Sequence, residues 1–386
     1  MTGLTRRDAL IAAAVLPLSG LREPPMGDAT LRDLAGRSGR SFGAAVQIEQ
    51  LRADPAFRDA VLAQCDTLTP ELALKWAAIQ PVPAAADPAS AEARSGFASM
   101  DGLAAFARAH GRRVHGHTLI WHRSVPDWAR AAMARSGWDV VHRYFAAVIA
   151  RYGDVIDRWD VVNEPVEPLD GGDGLRRSPF LSVFGPDYIH RALDSARALA
   201  PGARLLINEY GLDYPIAEDE ARRRRLIRLV EDLKHGGAPL DGIGVQAHLR
   251  LDRGPLDQEV LARFFRQLSD RGMAIHITEL DVRETTFDRP LVERDRIVAD
   301  TIRAFLDVAL DQPAVRGIAT WGLSDRHFWL NEDGEVGASH QGGSRGLPLD
   351  RSLHPKAFYR VLADGFSRPA LTRSRTQSAR PAQACA

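Results

Sequence analysis

The sequence is short of several things, and each shortage removes a class of explanation. It holds two cysteines in 386 residues, Cys65 and Cys385. Neither sits in a Cys-x-x-Cys pair or a Cys/His cluster, which excludes a disulfide framework and a thiolate metal site. Two independent thiols are expected, with Cys65 in the core. Lysine is almost absent: Lys75, Lys234 and Lys356 stand among 50 Lys and Arg together, so a lysine at an informative position draws notice. Net charge is absent too, with 50 basic against 50 acidic residues. That excludes a strongly basic nucleic-acid binder and a highly charged disordered chain. No stretch reaches the ~18 apolar residues of a membrane-spanning helix. No G-x-G-x-x-G follows a strand-like run, which argues against a dinucleotide-binding sheet.

What is present points to one large folded unit. Hydrophobic residues make up 45% of the chain, enough for a sizeable core. Arg6-Arg7, followed by the apolar run from Ile11 to Leu18, resembles a twin-arginine export signal over residues 1–26 and predicts a periplasmic or secreted protein. Residues 367–386 hold four arginines, no acid and mostly small or polar residues, and read as a disordered basic tail. The charge of these two ends leaves the part between, residues 27–366, mildly acidic. There, apolar β-type runs alternate with helical periodicity. The runs are Phe42–Val46, Asp66–Thr69, Val114–Leu119, Ile156–Val162, Arg204–Ile207, Gly242–Gln246, Ala274–Thr278 and Gly317–Thr320. Helix-period segments between them include Pro55–Cys65, Met100–His110, Val140–Tyr152, Asp187–Leu199, Glu218–His235, Leu256–Arg271 and Glu293–Gln312. Eight strands with helices between them predict an α/β fold, a (β/α)8 TIM barrel forming a single catalytic domain. Arg222–Arg225, preceded by Glu218, Asp219 and Glu220, reads as a solvated helix face.

Active sites of such barrels lie at the C-terminal ends of the strands, so the strand ends carry the information. The fourth run ends Trp159-Asp160-Val161-Val162-Asn163-Glu164-Pro165. Pro165 lacks a backbone donor and biases Glu164 away from helix, which stops the strand there. The seventh ends Ile277-Thr278-Glu279-Leu280-Asp281. Two glutamates three strands apart on an eight-strand ring face each other across its mouth. Glycoside hydrolysis needs such a pair, one carboxyl to protonate the leaving oxygen and one carboxylate to attack the sugar. Other strand ends supply Glu71 and Lys75, His117 and Trp121, Gln246 and His248, and Trp321 with Trp329. These side chains hydrogen-bond sugar hydroxyls or stack on sugar faces.

The segments G-H-T-L-I-W-H, W-D-V-V-N-E, I-T-E-L-D and T-W-G-x-x-D resemble glycoside hydrolase family 10, the endo-β-1,4-xylanases, over residues 35 to 366 and in the family's order. The resemblance implies that Glu164 is the general acid/base and Glu279 the nucleophile of a retaining enzyme. It implies that Asn163 holds the sugar's 2-hydroxyl, and that His248 contacts Glu279 and is oriented by Asp281. Glu71, Lys75, His117, Trp121, Gln246, Trp321 and Trp329 would line the subsites, with Asn208 and Tyr210 of I-N-E-Y beside them. The implied partner is xylan or a xylo-oligosaccharide bound by a monomer, with no cofactor, metal or nucleic acid. One departure stands out. The family's Glu-Asn-x-Met-Lys is here Glu71-Leu72-Ala73-Leu74-Lys75, and Leu72 cannot make the hydrogen bonds of the Asn it replaces, each worth about 0.5–1.5 kcal/mol. Another β-1,4-glycan is therefore an alternative substrate. Residues 331–345 are Gly-rich and predict a remodelled rim. Rival readings of other classes are a metal-dependent barrel hydrolase using His115 and His117, and a non-catalytic carbohydrate binder.

Overall fold

The computed structural model describes residues 29–83, 96–332, 334–340 and 342–368. The expected export signal, most of the expected tail and Cys385 lie outside the described residues.

Eight parallel strands close into a barrel: β1 (Ser41–Val46), β2 (Thr67–Pro70), β3 (Arg113–Gly116), β4 (Ile156–Asn163), β5 (Arg204–Glu209), β6 (Gly242–Val245), β7 (Ala274–Arg283) and β8 (Val315–Thr320). Each pairs with the next, and β8 returns to β1, with Ser41 opposite Gly317 and Ala44 opposite Thr320. Helices cover the outside, as parallel strands joined by crossovers require. Helix starts carry their own chemistry. Thr30 and Asp33 form a reciprocal capping box, and Asp54 caps the helix Pro55–Gln64, whose proline occupies the first turn. Each offsets orphaned amides at a helix start, worth about 1 kcal/mol. The buried face is mostly apolar. Trp76 stacks on Tyr144 with ring centroids 4.3 Å apart, and Phe42 meets Phe366 of the last helix edge-on. Cys65 is fully buried and free, and burial pushes its thiol far above the usual range, so it is inert at neutral pH.

All eight expected strands exist, with three differences in extent that bear on the rim. The third run leaves the ladder after Gly116. Leu119 N–H and Thr118 Oγ1 both donate to the Asp160 carbonyl, and Ile120–Trp121 then pairs separately with Val162–Asn163. The seventh run extends well past Thr278. Beyond the end of β6, the short strand His248–Arg250 pairs with Asp281–Arg283, so the ladder continues. Glu279 is thus inside a strand and not just past one. Along it, Leu280 and Val282 are fully buried on one face while Glu279 and Asp281 occupy the other. Finally, Glu164 ends its strand by adopting a left-handed backbone (φ +56°), a conformation non-glycine residues adopt at a cost of about 1–3 kcal/mol. Its amide donates to the Asn208 carbonyl at 2.8 Å.

The Arg222–Arg225 run is a solvated face only in part: Arg224 is exposed and pairs with Glu220, whereas Arg222 and Arg223 are buried. Arg222 is fully buried. Its guanidinium donates to Glu167 Oε2 at 2.8 Å and stacks 4.5 Å from the Tyr210 ring centroid. Arg223 donates to the Leu212 and Tyr214 carbonyls, both at 2.9 Å. The start of the helix Ala217–His235 leans over the loop after β5; Arg223 satisfies two of that loop's carbonyls, and Arg222 ties the helix to Glu167. The tail also begins later than expected: Ser367 closes the last helix, and Arg368 pairs with Asp307 at 2.6 Å.

Candidate active site

A cleft of about 680 Å³ opens at the C-terminal mouth of the barrel. Every expected substrate-binding residue lines it: Glu71, Lys75, His117, Trp121, Asn163, Tyr210, Gln246, His248, Trp321 and Trp329. Glu164, Glu279 and Asp281 line it as well, while Asn208 lies fully buried beneath.

Glu279 sits in a charged nest. His248 Nε2 lies 3.0 Å from Glu279 Oε2, and His248 Nδ1 lies 2.8 Å from Asp281 Oδ1. The other Asp281 oxygen accepts from Trp329 Nε1 at 2.8 Å. On its far side, Glu279 Oε1 accepts from Asn208 Nδ2 at 2.7 Å. Burial works against a charge on His248, but Asp281 and Glu279 overcome it and push the imidazole well above its ordinary pKa. Burial likewise works against ionised Glu279. The His248 hydrogen bond and the charges of His117 and His248 outweigh it, and the carboxyl is held below the usual glutamate value. The carboxylate is thereby ionised and fixed in orientation at neutral pH.

Glu164 is met by neutral donors. Trp121 Nε1 donates to Oε2 at 2.9 Å, and Asn163 Nδ2 and Gln246 Nε2 each donate to Oε1 at 3.2 Å. Its side chain is 12% exposed, against 6% for Glu279. His122 Nδ1 is 3.8 Å from Glu164 Oε2, and burial pulls that imidazole down to about 4, so it is neutral at pH 7. The two carboxyls are joined by a pair of amides: Asn163 bonds Glu164, Asn208 bonds Glu279, and Asn208 Nδ2 donates to Asn163 Oδ1 at 2.8 Å. Thr278 Oγ1 donates to Asn208 Oδ1 and so fixes which way that amide faces. Gly244 makes room for it, since a Cβ there would lie 2.2 Å from Asn208 Oδ1.

Lys75 places its ammonium 4.5 Å from the Trp121 ring centroid and 5.8 Å from that of Trp321. Burial lowers its pKa while the charges of Glu279, Glu71 and Glu164 support its protonation. Glu71 accepts from Gln47 Nε2 at 3.2 Å. Leu72, 51% exposed, lines the same cleft.

Several residues that sequence reasoning passed over hold the site together. Asp160 lies four residues before Glu164 in a strand where it read as one more apolar-run position. His117 Nδ1 lies 2.9 Å from its Oδ2, and His115 Nε2 lies 2.8 Å from the same oxygen, off the line of a good hydrogen bond. Burial opposes the Asp160 charge, but the two histidines hold the carboxyl far below the ordinary range. Arg158, two residues earlier on the same strand face, donates Nε–H to His115 Nδ1 at 2.8 Å. Guanidinium only donates, so His115 carries its proton on Nε2. These commitments explain the His115-x-His117 spacing without a metal: both imidazoles serve Asp160. Among the described residues, no group of three or more His, Cys, Asp or Glu could hold a metal ion. Arg176 braces the acidic side, donating to the Glu164 carbonyl at 2.8 Å and to the Tyr210 hydroxyl at 2.9 Å. Its location in a loop gave no periodic signal. Glu209 of I-N-E-Y accepts from the Val166 and Tyr210 amides at 2.9 and 3.0 Å, and burial together with the Glu164 charge pushes it up to about 8.

The Gly-rich rim segment is a pinned loop. Asn331 Nδ2 donates to the Asp325 and Ser344 carbonyls, each at 3.1 Å. Arg294, fully paired with Glu284, donates to the Gly343 carbonyl. From its base, Glu332 reaches the cleft.

Known proteins resemble this chain over most of their length. The chain is 30% identical over 349 residues to an endo-1,4-beta-xylanase of Agaricus bisporus, an alignment covering 89% of this chain and 96% of that one. It is 29% identical over 340 residues to Endo-1,4-beta-xylanase 1 of Humicola insolens, covering 85% and 72%. Among solved structures it superposes on native xylanase 10B of Thermotoga maritima with a TM-score of 0.75 at 26% identity, covering 87% and 98%. The xylanase 10B of Thermotoga petrophila RKU-1, solved in complex with xylobiose, matches with the same score and identity. With a closed eightfold barrel, a glutamate at the end of β4 and another within β7, and a match to the Glycosyl hydrolase family 10 model over residues 30–365, the chain belongs to that family.

Proposed function

We propose that this protein is a retaining endo-β-1,4-xylanase that cleaves internal bonds of xylan by double displacement. One observation carries the reading: two rim carboxyls are linked through Asn163 and Asn208, yet they sit in different surroundings. Glu279, ionised and oriented by His248 and Asn208, attacks the anomeric carbon and forms a glycosyl-enzyme. Glu164, with neutral donors and access to solvent, protonates the leaving oxygen and then takes a proton from the water that releases the product. Asn163, between the two, holds the sugar's 2-hydroxyl. Trp121, Trp321 and Trp329 supply sugar platforms, and Lys75 and Gln246 bind hydroxyls in the subsites flanking the cleaved bond.

A panel of xylan, mixed-linkage β-glucan and cellulose, read by product length, tests this. Xylan should yield short oligosaccharides from the first minutes, with the two glucans cleaved far more slowly. Preferential cleavage of either glucan would move the substrate assignment to a different β-1,4-glycan. Export through the Arg6-Arg7 segment and a monomeric state are further proposals, checked by cell fractionation and by light scattering.

A further inference from the structure

The arginines lining the cleft are spoken for, with one exception. Arg176 is held by Glu164 and Tyr210, Arg250 by Asp252, and Arg253 by Asp219. Arg283 lies over the Trp329 ring, 3.5 Å from Glu335. Lys75 faces the charges of Glu279, Glu71 and Glu164. Arg123 lines the same cleft, is exposed, and has no hydrogen bond or ion pair among the described residues. Its guanidinium carbon lies 5.8 Å from the ring centroid of Trp121, the indole that donates to Glu164 and that also carries the Lys75 ammonium. Arg123 therefore adds positive charge where Lys75 already stands. Burial first, and then the Arg123 charge, disfavour protonated Lys75; burial, then Arg176 and then Arg123, disfavour protonated His122. An unpaired, planar fork of donors in a partly enclosed cleft suits a carboxylate. Leu72, which lines the same cleft, offers an aliphatic surface and no hydrogen bond to a neutral hydroxyl.

We propose that Arg123 is a specificity-determining residue that binds the carboxylate of a uronic-acid substituent carried by the glycan. The proposal rests on the xylanase reading and names a substrate class within it: acidic, glucuronic-acid-decorated xylan. Cleavage itself is unchanged, because the carboxylate is bound and takes no part in bond making or breaking.

The experiment compares glucuronoxylan with the same polymer after chemical reduction of its carboxyl groups to primary alcohols. Both are digested by the wild-type protein, by Arg123→Ser and by Arg123→Lys. Charge-assisted hydrogen bonds support a wild-type kcat/KM about tenfold higher on the acidic polymer, expressed mainly in KM and shrinking as salt is raised. Arg123→Ser should bring the two polymers together, and Arg123→Lys should keep part of the preference. Comparing two substrates within each variant makes the result independent of how much of that variant is folded. Equal wild-type rates on the two polymers, or a preference that survives in Arg123→Ser, overturns the role of Arg123 and leaves the xylanase reading intact. Cleavage of neither polymer by the wild type overturns both.

Discussion

The two rim glutamates share one amide bridge but not one environment. Around Glu279 are an imidazolium, a second carboxylate behind it, and a buried asparagine, all on rigid strands. Around Glu164 are an indole and two side-chain amides, all neutral, and a backbone held left-handed at the edge of a strand. The first setting fixes a negative charge and aims it. The second surrounds the Glu164 carboxyl with donors that carry no charge. The difference matches the division of roles proposed above: a charged neighbour network around the group proposed as nucleophile, and neutral donors around the group proposed as acid/base.

Variants can break or sharpen that contrast. Removing the nucleophilic charge has the largest expected effect. Glu279→Gln should lower xylan turnover by about 10⁴-fold or more, and near-wild-type hydrolysis would refute the assignment. Glu164→Gln should cost about 10²- to 10⁴-fold on xylan. The loss should be much smaller in the first step with an aryl xylobioside whose phenol leaves without a proton. An equal loss on both substrates would place Glu164 outside acid catalysis. His248→Asn removes the imidazolium that depresses Glu279. With burial then unopposed by that neighbour, the Glu279 pKa rises, and the acid limb of kcat/KM against pH should move upward. Activity near neutrality should fall roughly a hundredfold through lost alignment; an unmoved acid limb would contradict the account. Gly244→Ala crowds Asn208 and so strikes both glutamates through their bridge. Overpacking of this kind costs about 1–3 kcal/mol, to be read by thermal unfolding together with activity. The smallest effect is expected of Lys75→Arg, where a broader head must fit against Trp121 and Trp321. A severalfold rise in KM is expected there, and unchanged kinetics would remove Lys75 from the subsite.

How much of this was legible in the sequence depended on whether a residue's role was local. Buried parallel strands read as short apolar runs, so all eight were visible, and the segments W-D-V-V-N-E and I-T-E-L-D marked their own ends. The extension of β7 was not visible, because it depends on a strand of three residues, His248–Arg250, that pairs only in three dimensions. Short helices such as Ile48–Ala53 and Pro179–Phe184 hold too few turns to show a period. Arg222 and Arg223 looked solvated because charge pattern reports a helix's average face and not the loop that its first turn covers. Asp160, Arg158 and Arg176 act through partners 10 to 118 residues away, a relation that no local pattern encodes.

The central claim is that Glu279 forms a covalent glycosyl-enzyme that Glu164 then helps water to release. The most direct measurement is proton NMR of a xylo-oligosaccharide digest, recorded quickly enough to see the first-formed anomer before mutarotation. The account predicts the β-anomer, from two inversions at the anomeric carbon. Initial appearance of the α-anomer would mean a single displacement by water and would contradict it.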